Sequence, residues 1–319
     1  MTSTTFHLFQ DVSTFSTGML NVSKKHSIYY EECGNPEGYP VVFLHGGPGS
    51  GCNPTQRRFF DPNFYRIILL DQRGCGRSTP AGFIEENNTD ALVNDIDALK
   101  QHLHIDKWLV FGGSWGSTLA LAYALEYPDS VTGLILRGIF LSRVSELDWF
   151  LGEVKRFYPE PWEKLLSFLP SEQQSNPLLA YSVSVFSDDV KIAGPAATNW
   201  NAFESSIMAL LPRPTSIQNP TPVEIEIARA KVQIHYILNQ CFVGQRDLLA
   251  EAKSLSTIPT TIIQGRYDMV CPPISAWELK KAMPHAKFEM VADAGHSAME
   301  IGITSALIAA TEAFKLHHQ

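Results

Sequence analysis

Gly112-Gly113-Ser114-Trp115-Gly116 lies directly after the apolar run Trp108-Leu109-Val110-Phe111 and directly before an Ala- and Leu-rich stretch that continues to Pro128. Read as strand, turn and helix, these residues set a serine on a sharp strand-to-helix corner. Such a corner strains the backbone and leaves no room for neighbouring side chains, so glycines must flank the serine. The corner lifts the hydroxyl clear of the sheet and places it at a helix N-terminus, where backbone N–H groups stabilise developing negative charge. The plain alternative is a glycine-rich strand–helix turn with an incidental serine; the flanking strand and helix weigh against it.

The same form repeats outward from this corner. Val41-Val42-Phe43-Leu44 runs into His45-Gly46-Gly47-Pro48-Gly49, and Arg66-Ile67-Ile68-Leu69-Leu70 ends at Asp71-Gln72-Arg73-Gly74. Val131 to Leu136 is a further strand, and Leu92, Ile96, Leu99 and Leu103 recur at helical spacing with Thr89 placed to cap them. Short apolar runs alternating with helical patterns predict the α/β class, a mostly parallel central sheet flanked by helices. After about residue 140 the β runs stop, and Trp149, Phe150, Trp162, Trp200 and many prolines sit in helical or irregular context. Strand character returns at Thr260-Thr261-Ile262-Ile263 and Phe288-Glu289-Met290-Val291, and a last helix is expected from Ser305 to Leu316. The organisation expected is a first core segment (1–140), an inserted, mainly helical cap (141–240) and a second core segment (241–319).

Bulk properties narrow the function. A chain of 319 residues, 45% hydrophobic and 18% charged, can bury a large core, with or without an inserted subdomain. A net charge of −8 leaves no electrostatic footprint for nucleic acid or for an anionic membrane. No stretch approaches the roughly 18 to 20 apolar residues of a membrane helix, and the first residues lack the basic-then-apolar order of a signal peptide. Cys33, Cys52, Cys75, Cys241 and Cys271 are odd in number and scattered, which argues against a disulfide framework and fits a cytoplasmic location. His102 and His104 have no carboxylate or cysteine in ligand spacing, so they read as surface histidines and no metal is expected.

Serine alone is a poor nucleophile; a base must take its proton and an acid must orient that base. Gln264-Gly265-Arg266-Tyr267-Asp268 follows one late strand and Ala294-Gly295-His296-Ser297 follows the last. Lone loop residues of these types are more often merely solvated, but Ser114, Asp268 and His296 stand in the chain order of the α/β-hydrolases. Activity should then fall toward acid pH as His296 becomes protonated. The glycine-rich loop after Leu44 should supply one oxyanion donor and Trp115 N–H the other, each worth about 3 kcal/mol of barrier. A phosphate-binding loop is excluded because Pro48 lacks a donor and no Gly-Lys-Ser/Thr follows.

With these residues in hand, the chain resembles the prolyl iminopeptidases, α/β-hydrolases that release an N-terminal proline from peptides. The resemblance runs over most of the chain. Its most specific parts are His45 to Gly49, Asp71-Gln72-Arg73-Gly74-Cys75-Gly76-Arg77-Ser78, Asn87-Asn88-Thr89, Gly112 to Leu121, Leu136-Arg137-Gly138 and Gly265 to Asp268. It implies Gly47 and Trp115 as oxyanion donors and no cofactor. It also implies an apolar pocket for the proline ring, with cap carboxylates holding the cationic nitrogen. By position Phe140, Phe150 and Cys271 match pocket residues, although core packing is the plain reading of each aromatic. Glu204 matches one carboxylate, and the second falls on Gln233, an amide without charge. Weaker capture of the amine, or compensation by Glu226 two turns earlier on the same helix face, is the expected consequence. Bulky thiol reagents are expected to block the pocket at Cys271. Esterases and lactonases share the fold, and a non-catalytic binding protein could reuse the pocket, but the triad and oxyanion loop are complete here.

Overall fold

The computed structural model describes residues 5–211 and 220–318. Residues 1–4 and 319 of the expected core, and 212–219 of the expected cap, lie outside the described residues. In chain order the first elements are β1 (Thr14–Asn21), β2 (Ser27–Gly34), β3 (Tyr39–Leu44), β4 (Tyr65–Leu70), α1 (Thr89–His102), β5 (Trp108–Gly113), α2 (Trp115–Glu126) and β6 (Val131–Arg137). Helices α3 (Val144–Phe150), α4 (Pro159–Ser167), α5 (Pro177–Val185), α6 (Val190–Ile207) and α7 (Val223–Leu238) follow. The chain then runs through α8 (Leu248–Glu251), β7 (Thr260–Gly265), α9 (Pro273–Ala282), β8 (Lys287–Val291) and α10 (Ile301–Leu316).

One eight-stranded sheet has the order β1-β2-β4-β3-β5-β6-β7-β8. The pairs β1–β2 and β2–β4 are antiparallel and the remainder parallel. Strand β5 is buried at every position, as a strand covered on both faces must be. Trp108 and Val110 pack on one side with α1, α2 and α9; Leu109 and Phe111 pack on the other with Phe59, Phe60 and α10. The two antiparallel strands carry little sequence signal. β1 never fully buries a residue, and β2 holds the buried charges Glu31, paired with Arg57 and Arg77, and Glu32, paired with Arg66.

Two end assignments change. Asn88, not Thr89, caps α1, accepting from Ala91 N–H at 2.9 Å; Thr89 is its first residue, and its hydroxyl donates to the Cys241 carbonyl. Helix α10 begins at Ile301, earlier than Ser305.

Between β6 and β7 the described residues form helices and loops without a strand. They pack their own apolar cluster around Phe150, Trp162, Tyr181, Trp200, Phe203 and Ile234. Helix α7 then approaches the loops after β3 and β4 backbone to backbone. A Cβ on Gly49 would lie 2.5 Å from the Arg229 carbonyl oxygen, and one on Gly82 would lie 2.9 Å from Ala228 Cα. Glycine is favoured twice over at these positions, by the close contact and by positive φ values of +103° and +65°.

Candidate active site

Ser114 joins β5 to α2 with φ 59° and ψ −128°, a backbone conformation that non-glycine residues seldom adopt. Its amide donates to the Arg137 carbonyl at 2.8 Å. The flanking glycines are sterically required: a Cβ on Gly112 would sit 2.1 Å from the Gly116 carbonyl oxygen, and one on Gly116 would sit 2.1 Å from that of Leu44.

His296 and Asp268 are both buried, and His296 Nδ1 is 2.7 Å from Asp268 Oδ2. Every other partner of this carboxylate is also a donor: Gln264 Nε2 on Oδ2 at 3.1 Å, and the Val270 and Cys271 amides on Oδ1 at 3.0 and 2.7 Å. The imidazole is further located by Arg137, which donates from Nη1 to the His296 carbonyl at 2.6 Å, and by Gly138, whose missing side chain leaves space for the ring. Among the described residues no hydrogen bond joins the Ser114 hydroxyl to His296; the hydroxyl lies against the Cys271 thiol. Such contacts tighten with substrate bound. Arg137 and Gly138 were visible in the sequence as part of a motif block and Gln264 as a neighbour of one, but without a role, because a positioning role depends on contacts across the sheet.

Gly138 yields a direct test. A Cβ there would be 3.0 Å from His296 Cε1, at a backbone φ of +56°. Gly138→Ala should push the ring aside and lower kcat by about a hundredfold, the scale of an ångström-sized misplacement. A kcat within twofold of wild type would show that His296 has slack.

The glycine loop after β3 is braced from β4. Gln72 donates from its amide to His45 Nε2 at 3.0 Å and from its side chain to the His45 carbonyl at 2.9 Å, and accepts from Trp115 Nε1 at 2.8 Å. Burial pushes the His45 pKa down, so the ring stays neutral and can accept. Asp71 holds Cys52 N–H and Arg77, while Arg73 pairs bidentately with Asp95 on α1 at 2.6 and 2.7 Å. The Asp71–Ser78 block is therefore scaffold. Neither the Gly47 nor the Trp115 amide donates to a protein acceptor in the described hydrogen bonds.

A pocket of about 40 Å³ opens at Ser114. Gly47, Phe140, Phe150, Glu204, Gln233 and Cys271 all line it, and the structure adds Glu146, Leu147, Ile237 and Val270. Phe150 also packs on Phe203 at 5.7 Å, so it serves core and pocket together. A far wider cleft, about 600 Å³, adjoins Met208, Arg229 and Ser297.

Three expectations need correction or refinement. Glu226 does not reach this pocket: its carboxylate accepts from Asn201, and seven residues of helix carry it about 10 Å along the axis. Glu204 is not an unoccupied carboxylate, since it pairs with Arg229 Nη2 at 2.6 Å and accepts from Gln233 Nε2 at 2.9 Å. Cys271 is 3% exposed, and burial, followed by the Asp268 charge, pushes its thiol well above its ordinary pKa. A raised pKa leaves little thiolate at neutral pH, so alkylation of Cys271 by iodoacetamide should be at least about tenfold slower than that of free cysteine and accelerate about tenfold per pH unit. Site-resolved mass spectrometry measures this; fast modification at pH 7 would contradict it. Of the two sequence-singled histidines, both are exposed, and His102 Nε2 meets Tyr30 Oη at 2.9 Å. Among the described residues no group of three His, Cys, Asp or Glu side chains could hold a metal ion, and no helix is long and apolar enough to cross a membrane.

A family model described as alpha/beta hydrolase fold matches residues 39–302. The proline iminopeptidase of Arabidopsis thaliana is 48% identical over 97% of this chain and 82% of its own length. That of Xylella fastidiosa (strain Temecula1 / ATCC 700964) is 44% identical over 96% of this chain and 99% of its own. In structure, an alpha/beta fold family hydrolase from Bacillus anthracis str. Sterne superposes with a TM-score of 0.62 at 19% identity, covering 94% of this chain and all of that one. The last likeness bears on fold alone. Taken with the serine corner, the motif blocks and the eight-stranded sheet, these relatives place the chain: it belongs to the proline iminopeptidase family of the α/β-hydrolase fold.

Proposed function

We propose that this chain is a serine aminopeptidase that releases N-terminal proline from peptides, with Ser114, His296 and Asp268 as its catalytic triad. The observation that carries the reading is the buried His296–Asp268 pair, 2.7 Å apart, beside a serine corner that opens on a pocket of about 40 Å³. The helical insert, residues 141–240, acts as the cap that closes this pocket, so only the first residue of a peptide fits beyond the nucleophile. Phe140, Phe150 and Cys271 hold the ring, and Glu204 with Gln233 form its polar end.

The Ser114 hydroxyl turns from Cys271 toward His296, which takes its proton as the oxygen attacks the prolyl carbonyl. The Gly47 and Trp115 amides hold the oxyanion. Protonated His296 gives its proton to the leaving amine, the shortened peptide departs through the wide cleft beside Ser297, and water hydrolyses the prolyl-enzyme by the same path in reverse order. A cytoplasmic enzyme acting on free peptides fits the cysteine usage.

The test is kcat/KM on prolyl, alanyl and leucyl 2-naphthylamides. Proline should lead by at least about tenfold, because a ring that fills the pocket gains contacts an open side chain does not. Equal or negligible turnover of all three, with good hydrolysis of simple esters, would move the protein to the esterases.

A further inference from the structure

The polar end of the ring pocket is already neutralised. Glu204, 6% exposed, has both oxygens engaged: Oε2 by the Arg229 guanidinium at 2.6 Å and Oε1 by the Gln233 amide at 2.9 Å. The orientation of that amide is set by its other end, since Trp200 Nε1 is donor-only and lies 2.6 Å from Gln233 Oε1. Gln233 therefore presents N–H, not oxygen, toward the pocket.

The second carboxylate in the lining is no freer. Glu146 accepts from the Leu141 and Arg143 amides and the Ser275 hydroxyl, with the Arg143 guanidinium 3.7 Å away. Glu204 thus has its own arginine, while Glu146 shares Arg143 with Glu278, which that guanidinium meets at 2.5 Å, and is already filled by its amide and hydroxyl donors. A protonated ring nitrogen brings two N–H donors and a positive charge, and it meets donors and a cation already seated at the anion.

We infer that this pocket selects by ring shape and not by charge: it takes five-membered-ring acyl groups whose nitrogen is uncharged or absent about as readily as protonated proline. This rests on the proposed prolyl hydrolysis at the same site. Arg229 is the residue that sets it, a specificity determinant acting through Glu204. The chemistry is unchanged: the acyl–nitrogen bond breaks, water supplies hydroxyl to the acyl carbon and a proton to the released amine, and no further reactant is needed.

The decisive probe is cyclopentanecarbonyl 2-naphthylamide, which has the proline ring outline without its nitrogen. Its kcat/KM is compared with that of prolyl 2-naphthylamide, each divided by the compound's own rate with hydroxide to remove the intrinsic effect of the ammonium group. The expected ratio for the intact protein lies within about tenfold of unity, below the ten- to hundredfold preference a free carboxylate–cation hydrogen bond would impose. A larger preference for proline overturns the inference and leaves prolyl hydrolysis standing. Turnover of the cyclopentane compound alone would overturn both, because the inference expects the two rings to be taken about equally.

Arg229→Met frees the Glu204 carboxylate and should raise the preference for proline at least about tenfold, while Arg229→Lys keeps the pair and should hold the ratio near wild type. An unchanged ratio in a folded Arg229→Met protein would overturn the role of Arg229. Should Arg229→Met not fold, the wild-type ratio decides. If neither amide is turned over, the 4-nitrophenyl esters of the two acids give the ratio, and failure of both esters ends both readings.

Discussion

Ser114→Ala should lower kcat by about a millionfold, leaving the thousand-fold or so over water that oxyanion donors and binding alone provide. The corner that holds the serine is built from glycine contacts and the Ser114 amide bond to Arg137, none of which involves the hydroxyl. Alanine keeps the same positive φ, so the backbone strain is present before and after substitution. The melting temperature should therefore stay within about 2 °C while the chemistry disappears, a separation that attributes the loss to the missing nucleophile. Activity above about a tenth of wild type would require another nucleophile and would end the triad assignment.

Asp268→Asn is expected to cost about ten-thousandfold in kcat, and the structure says why so small a change matters. The aspartate receives donors on both oxygens: two backbone amides on Oδ1, His296 and Gln264 on Oδ2. Asparagine has only one acceptor oxygen. The backbone amides of Val270 and Cys271 cannot turn away, so that oxygen stays with them, and the new NH₂ group faces His296 Nδ1 and the Gln264 amide. Nδ1 must then accept, which moves the ring proton to Nε2, the nitrogen that should receive the serine proton. The imidazole is left in place but in the wrong tautomer. A loss under tenfold would mean that the tautomer is set elsewhere, with Asp268 merely filling space.

The parallel half of the sheet and the serine corner could be read from the chain because buried strands and the turns that end them leave unbroken apolar runs and fixed glycines. The antiparallel pair at the sheet edge could not. β1 is half exposed, and β2 hides its strand character behind Glu31 and Glu32, whose burial depends on arginines at positions 57, 66 and 77. The same limit applies in the site. Ser114, Asp268 and His296 announce themselves by position after strands, while Arg137, Gly138 and Gln264 act through contacts made only once β6 and β7 lie side by side. Gln233 was visible as a missing charge. Its consequence was not, because the Arg229 partner of Glu204 sits one turn away on α7 and reads, in one dimension, as an ordinary surface cation.

Gly49 and Arg229 touch main chain to main chain, with 2.5 Å left where a Cβ would be. The helix that carries Gln233 and the loop that carries Gly47, the proposed oxyanion donor, consequently meet at a single close joint. An engineer who wished to change substrate by grafting the helical insert of a relative would import a foreign helix axis against the loop proposed to hold the tetrahedral intermediate. Such chimeras should lose turnover before they gain new selectivity, unless the His45–Gly49 loop travels with its helix as one transplanted part.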